Sequence, residues 1–295
     1  MTANHDLTGK TIVVTGATSG IGRAAVRELA GRGAWVLGVG RSPERCREAR
    51  DAILAEHPDA RLAFAVADLS SQRQVRKLAC EIRERVLAEG GGKIDVLINN
   101  AGVVPGWYTA TEDGYEMQFA VNHLAPFLLT YELMPLLQAA PEARVVTVSS
   151  SSHRGARIRW GDIMHRRYYH CLLAYKQSKL ANVLFSAELN RRLGPASRVR
   201  AYAADPGLVN TEIGQKHTSG FIEWFWRQRR RRGATPEQGA KTIVFLASDP
   251  SVRGSDAVYW KDCRPLPPSR YAQREDVAAR LWSLSERLCG ISWAG

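Results

Sequence analysis

A short β-branched run, Thr11–Thr15, passes directly into Gly16-Ala17-Thr18-Ser19-Gly20-Ile21-Gly22 and then into a segment of helical character. A strand that must turn at once into a helix leaves few folds open. Glycines at 16, 20 and 22 let the backbone turn without a Cβ in the way, and the helix start behind them offers unpaired amides to an anion. The spacing Gly-x3-Gly-x-Gly differs from the better-known Gly-x-Gly-x-x-Gly. It serves the same geometry, and it places Gly16, Thr18, Ser19, Gly20, Ile21 and Gly22 to cradle a dinucleotide pyrophosphate.

The alternation continues along the chain. Strands are predicted at Thr11–Thr15, Trp35–Val39, Arg61–Ala67, Asp95–Ile98, Arg144–Val148, Val199–Ala203 and Asp256–Trp260. Between them, amphipathic periodicity predicts helices over Ile21–Gly31, Pro43–Glu56, Gln72–Leu87, Gly114–Tyr131, Tyr175–Leu193 and Pro236–Leu246, the fourth broken or adjusted at Pro126. Apolar strands alternating with helices predict an α/β, Rossmann-like, doubly wound parallel sheet of seven strands with helices on both faces. Composition never shifts enough to mark a linker, so residues 1–295 read as a single domain.

Composition excludes several function classes. Five cysteines, Cys46, Cys80, Cys171, Cys263 and Cys289, are scattered without CxxC spacing, which argues against a disulfide framework and a structural zinc site. The polar start Met1–Asp6 does not read as a signal peptide, and no long apolar run reads as a membrane span, so a cytoplasmic location is expected. The net charge of +12 raises nucleic-acid binding. No recognition helix, RNP strand or zinc finger accompanies it, and a solvated arginine-rich surface is the preferred reading, with no specific nucleic-acid partner.

The second strand ends in Gly40-Arg41-Ser42 with no acidic residue at its tip. An acid there would hold the ribose 2′-hydroxyl of NAD, whereas a guanidinium pairs with the extra phosphate of NADP. Arg41 can equally be a solvated arginine; the missing acid tips the reading to NADP(H). Asp68 and Leu69, just past the third strand, are placed beside the adenine. Asn100, Ala101 and Gly102 close the fourth strand next to the adenosine half.

Tyr175 and Lys179 stand one helical turn apart and share a face. A free tyrosine, with a pKa of about 10, is a poor base at neutral pH. A neighbouring ammonium stabilises the phenolate, and Lys179 can also hold the nicotinamide ribose. Ser150 follows the fifth strand, where its hydroxyl can orient a substrate oxygen, although Ser149, Ser151 and Ser152 compete for that role on spacing alone. A serine hydrolase would use such a serine too, but no Gly-x-Ser-x-Gly elbow is present. Asn122 inside a helix is unfavourable unless its amide holds a carbonyl or a water, and it can anchor a water through which Lys179 exchanges protons.

Taken together, the chain resembles the short-chain dehydrogenase/reductase family over essentially its whole length. The cofactor turn matches Thr15–Gly22, the adenine-pocket acid Asp68, and the structural Asn-Asn-Ala-Gly residues 99–102. The resemblance carries the catalytic tetrad onto Asn122, Ser150, Tyr175 and Lys179, and further cofactor contacts onto Pro206, Gly207, Val209 and Thr211. Within the family, Arg144–Ser150, Ala174–Ala181, Asp205–Thr211 and Leu281-Trp282-Ser283 resemble the retinol dehydrogenase-like and X-linked dehydrogenase/reductase-like branch. That branch implies NADP(H), a lipophilic alcohol or carbonyl substrate, and a homodimer or homotetramer built on the helices that begin near Gly114 and Tyr175. It also implies a membrane anchor, which this sequence does not show. A catalytically silent NADP(H)-binding scaffold is the alternative, against which the intact tetrad argues.

Ser150 and Tyr175 lie 25 positions apart, a longer separation than in many members, and Arg154–Leu173 fills the difference and is expected to wall the substrate cleft. His153 just before it and His165 and His170 within it are read as surface or packing residues and not as metal ligands. A substrate lid is expected over 211–236, with Phe221, Trp224, Phe225 and Trp226 as its apolar part. The same aromatics, followed by the arginines up to 232, also fit a helix packed on its own domain or a partner, or a peripheral membrane contact through 221–232.

Overall fold

The computed structural model describes residues 5–209 and 234–293. Eight strands form one sheet in the order β3-β2-β1-β4-β5-β6-β7-β8. They are β1 Thr11–Thr15, β2 Trp35–Gly40, β3 Leu62–Val66, β4 Val96–Asn99, β5 Ala143–Val148, β6 Val199–Asp205, β7 Tyr259–Lys261 and β8 Arg264–Pro265. β1 to β7 are parallel, and β8 alone runs antiparallel, folded back on β7. The seven-strand parallel expectation therefore gains a two-residue edge. Asp262 and Cys263 between β7 and β8 adopt positive φ, as a tight reversal requires.

Strand residues feed two cores by simple alternation. Val13 packs with Leu37, Leu97 and Val145 on one face. Its neighbours Ile12 and Val14 pack with Val36, Ile98 and Val146 on the other. The first face is covered by α3 (Gln72–Glu89), α5 (Ala125–Gln138) and α6 (Cys171–Leu193), the second by α1 (Gly20–Gly31) and α7 (Pro236–Ser248); α2 (Pro43–Glu56) flanks β2 and β3.

Three features depart from the expectations. The helix read as Gly114–Tyr131 is a short turn α4 (Met117–Phe119), a π-turn Ala120–Leu124, and then α5. The irregularity thus precedes Pro126, which sits in the first turn of α5, where a missing N–H matters least. The helix carrying Tyr175 begins earlier, at Cys171.

The third departure is α8 (Glu275–Cys289), which no strand or helix expectation anticipated. Its buried face, Val277, Ala278, Leu281, Trp282, Ser285 and Cys289, follows helical periodicity. Trp282 meets Phe127 edge-on at 4.9 Å and stacks on Phe185 at 6.0 Å. The Ser285 hydroxyl lies 2.9 Å from His123 Nε2. α8 therefore packs on both α5 and α6.

The Arg154–Leu173 segment is laced to the C-terminal region by arginines. Arg157 lies over Tyr271, Arg280 over Trp160 at 4.1 Å, and Arg154 donates to the Pro267 carbonyl. Part of the cationic excess is therefore spent on packing stems and cation–π contacts.

Candidate active site

Glycine turn and helix start are built for an anion. Gly16 and Gly20 have positive φ. A Cβ on Gly22 would lie 2.1 Å from the Gly16 carbonyl oxygen, so the turn closes only around glycine. Ser42, Ser71 and Thr235 cap α2, α3 and α7 with their side chains, whereas Ser19 makes no such bond at α1 and the first turn holds no acid. The α1 amides are left for a negatively charged group, which fits a pyrophosphate.

Asn100 fastens this turn to β4. Its Nδ2 donates to the carbonyls of Thr15 at 2.8 Å and Gly16 at 3.2 Å. The Thr15 hydroxyl accepts from the amides of Asn100 and Ala101 at 3.0 and 3.1 Å. Thr15 is thus a site residue that motif reading undervalued.

A cavity of about 530 Å³ opens over the ends of β1, β2 and β4. Every glycine-turn residue singled out in the sequence lines it, as do Arg41, Asp68, Leu69, Asn100, Ala101 and Gly102. Asp68 Oδ1 accepts from Ser70 N at 2.9 Å, which fixes its carboxylate at the rim. Arg41 is exposed, and among the described residues no carboxylate pairs with it. Ser42 and Arg45 join it at the same end of the cavity. Sequence reasoning missed Arg45, whose place in the first turn of α2, three positions beyond the cap Ser42, was a readable signal. Beyond the cofactor residues the lining turns apolar with Val104, Pro105, Trp107, Met117 and Val121.

Ser150, Tyr175, Lys179, Pro206, Gly207 and Val209 lie outside that lining, at the ends of β5 and β6 and on α6. Lys179 is 3% exposed; its Nζ donates to the Val148 carbonyl at 3.0 Å and lies 5.6 Å from the centre of the Tyr175 ring. Burial lowers its pKa to about 8, and the charge of Asp205 opposes that fall. Ser149 Oγ donates to the Lys179 carbonyl at 2.8 Å, which docks the end of β5, and hence Ser150, onto α6. The Ser150 hydroxyl accepts from Ser152 N at 3.1 Å. Val209 bridges Ala234 and packs on Gly239, where a Cβ would approach Val209 Cγ2 to 2.5 Å. Thr211 and the 221–232 segment lie outside the described residues.

Asn122 is engaged through its whole side-chain amide. Within the π-turn its Oδ1 accepts from Val103 N at 2.8 Å, while its Nδ2 donates to Val103 O at 3.1 Å and to Ser178 Oγ at 3.0 Å. Ser178 in turn donates to the Tyr175 carbonyl at 2.8 Å. Both amide hydrogens are used, one of them on a carbonyl, so the side chain ties the cavity wall to the tyrosine-bearing helix.

His153 and His165 are buried and His170 is exposed. Among the described residues no group of three metal-ligating side chains gathers.

A family described as short chain dehydrogenase matches residues 10–220. The chain belongs to that family. The dehydrogenase is 39% identical to mouse retinol dehydrogenase 12 over 292 residues, covering 99% of this chain and 90% of that one. It is 38% identical to human retinol dehydrogenase 11, covering 98% and 89%. Among solved structures, one from Mycobacterium paratuberculosis superposes with a TM-score of 0.77 at 34% identity, covering 98% of this chain and 97% of that one. A metagenomic short-chain oxidoreductase in complex with NADP gives 0.63 at 25% identity, covering 89% and 100%. The dehydrogenase is accordingly an oxidoreductase with a dinucleotide-binding fold.

Proposed function

We propose that the dehydrogenase transfers a hydride reversibly between NADP(H) and a lipophilic carbonyl or alcohol. The observation that carries this is the cavity itself, with Arg41, Ser42 and Arg45 at one end, no acid at the tip of β2, and an apolar wall of Trp107, Met117 and Val121 at the other. A guanidinium pair at the first end suits a 2′-phosphate. The apolar wall suits a ligand with little polar surface. The retinol dehydrogenase relatives and the NADP complex support the same assignment.

When bound, NADPH supplies the hydride at its C4 carbon. The protein's residues do the rest. Tyr175 gives a proton to the carbonyl oxygen as it becomes an alkoxide, Ser150 orients that oxygen, and Lys179 holds the nicotinamide ribose and favours the phenolate left on Tyr175. A bulky aldehyde or ketone is the preferred substrate.

The proposal extends to a cytoplasmic protein with a peripheral membrane contact through 221–232. A homodimer or homotetramer built on the helices that begin near Gly114 and Tyr175 is part of the same proposal.

Titration with NADPH and NADH, read by tryptophan quenching, comes first; tighter NADH binding overturns the Arg41 end of the assignment. A screen of lipophilic carbonyls follows, with Tyr175→Phe as control. That variant should retain NADPH affinity and lose turnover; undiminished turnover refutes the tyrosine's role.

A further inference from the structure

Asp205 ends β6 with a carboxylate only 1% exposed. Oδ1 accepts from Gly207 N at 2.9 Å. Oδ2 accepts from the Tyr259 hydroxyl at 2.5 Å and from the Ser151 hydroxyl. One side chain therefore joins three pieces of the site: the Pro206-Gly207 turn, β7, and the loop that carries Ser150.

That loop is pinned from several directions. Ser149 N donates to the Ala204 carbonyl at 2.7 Å. The Ser150 carbonyl accepts from His153 N at 3.0 Å and from His153 Nδ1 at 2.8 Å, while His153 Nε2 accepts from Ser269 N at 3.1 Å. Burial disfavours the charged form of His153, so that ring serves as a neutral brace.

The charge needs its own explanation. A buried carboxylate bonded only to an amide and two hydroxyls is expensive to desolvate, and an asparagine would satisfy much of the same geometry more cheaply. A buried anion is retained where it faces a buried cation. Lys179, 3% exposed, is placed to be that cation: its Nζ donates to the Val148 carbonyl at 3.0 Å, Val148 is in register with Ala204, the residue before Asp205, and the charge of Asp205 opposes the effect of burial on the ammonium. The other titratable groups around the pair are Tyr175 on α6, His153 and Arg154 on the turn after β5, and Tyr259 and Lys261 on β7. Arg154 lies over the Tyr259 ring, and Lys261 reaches only the Ser151 hydroxyl, at 3.5 Å.

We propose that Asp205 is a positioning residue of the hydride-transfer site: its carboxylate sets the Ser150 loop against the Pro206-Gly207 turn, and its charge is the counter-charge of the Lys179 ammonium. This rests on the hydride-transfer reading above.

Two measurements on Asp205→Asn, Tyr259→Phe and Ser151→Ala test it. The first is NADPH affinity against pH by tryptophan quenching, which needs no substrate. Without the anion Lys179 loses its proton earlier, so in Asp205→Asn the alkaline fall in affinity moves to lower pH by about half a unit or more. Tyr259→Phe and Ser151→Ala retain the carboxylate, and their alkaline fall stays with wild type. The second is kcat and KM for a carbonyl that wild type reduces. Ser151→Ala lowers kcat several-fold with NADPH affinity unchanged, because the Ser150 loop has lost its tether.

An alkaline fall in Asp205→Asn that coincides with wild type overturns the counter-charge. An unchanged kcat in Ser151→Ala overturns the positioning, and that variant decides if Asp205→Asn does not fold. Should wild type reduce no carbonyl, the hydride reading fails while the affinity profile still judges the charge pair.

Discussion

Replacing Glu116 by glutamine should change how the stability of this fold responds to pH. Glu116 is 1% exposed and caps α4, its Oε1 accepting from Gln118 N at 2.9 Å and its Oε2 from Phe119 N at 2.8 Å. Met164 Sδ sits 3.4 Å from its own amide. Burial pushes the carboxyl from an ordinary 4.5 up to about 7, with the two amides opposing the rise. A gap of that size corresponds to about 3 kcal/mol. The folded state holds its proton more tightly than the unfolded chain. The stability it confers is therefore complete below pH 4.5 and is lost as pH rises towards 7. Glutamine has no such proton to lose. Urea unfolding at pH 5.5 and pH 8, followed by circular dichroism, should show wild type losing about 2 kcal/mol more than Glu116→Gln across that interval. Equal losses in the two proteins would refute the argument that this carboxyl is buried as an acid.

Three further outcomes are expected. Arg45→Ala should weaken NADPH about tenfold and leave NADH unchanged, since a partly exposed guanidinium–phosphate bond is worth about 1–2 kcal/mol; equal effects on both would remove Arg45 from the phosphate end. Gly22→Ala should abolish dinucleotide binding, because its Cβ would sit 2.1 Å from the Gly16 oxygen, and calorimetry showing wild-type affinity would contradict the turn geometry. Trp282→Ala should destabilise the protein by about 3–5 kcal/mol by opening a cavity between α5, α6 and α8, and an unchanged melting temperature would show that α8 is not part of the core.

β1 to β6 and the cofactor turn were legible because their signals are local: β-branched runs set off by glycine, and spacing that only a strand-to-helix turn needs. The Tyr175–Lys179 pair was legible for the same reason, four positions making one helical turn. What stayed hidden depends on partners distant in sequence. Trp282 and Ser285 look like any amphipathic helix until Phe127, His123 and Phe185 are brought beneath them. The π-turn leaves no mark in the hydrophobic period, so the partners of the Asn122 amide, Val103 and Ser178, could not be named in advance. β8 is too short for any pattern, and no local signal marks Asp205 because its three donors come from 151, 207 and 259.

α8 also orders events during synthesis. Its aromatic seat is made by His123, Phe127 and Phe185, while the helix itself comes from 275–289. The aromatic faces of Phe127 and Phe185 therefore emerge from the ribosome long before Trp282 arrives to cover them. For that interval the nascent chain presents a greasy helix pair beside a sheet whose first strands can already pair. Closure over so long a loop is slow relative to local helix formation. A nascent chain halted before α8 would be a natural client for chaperones.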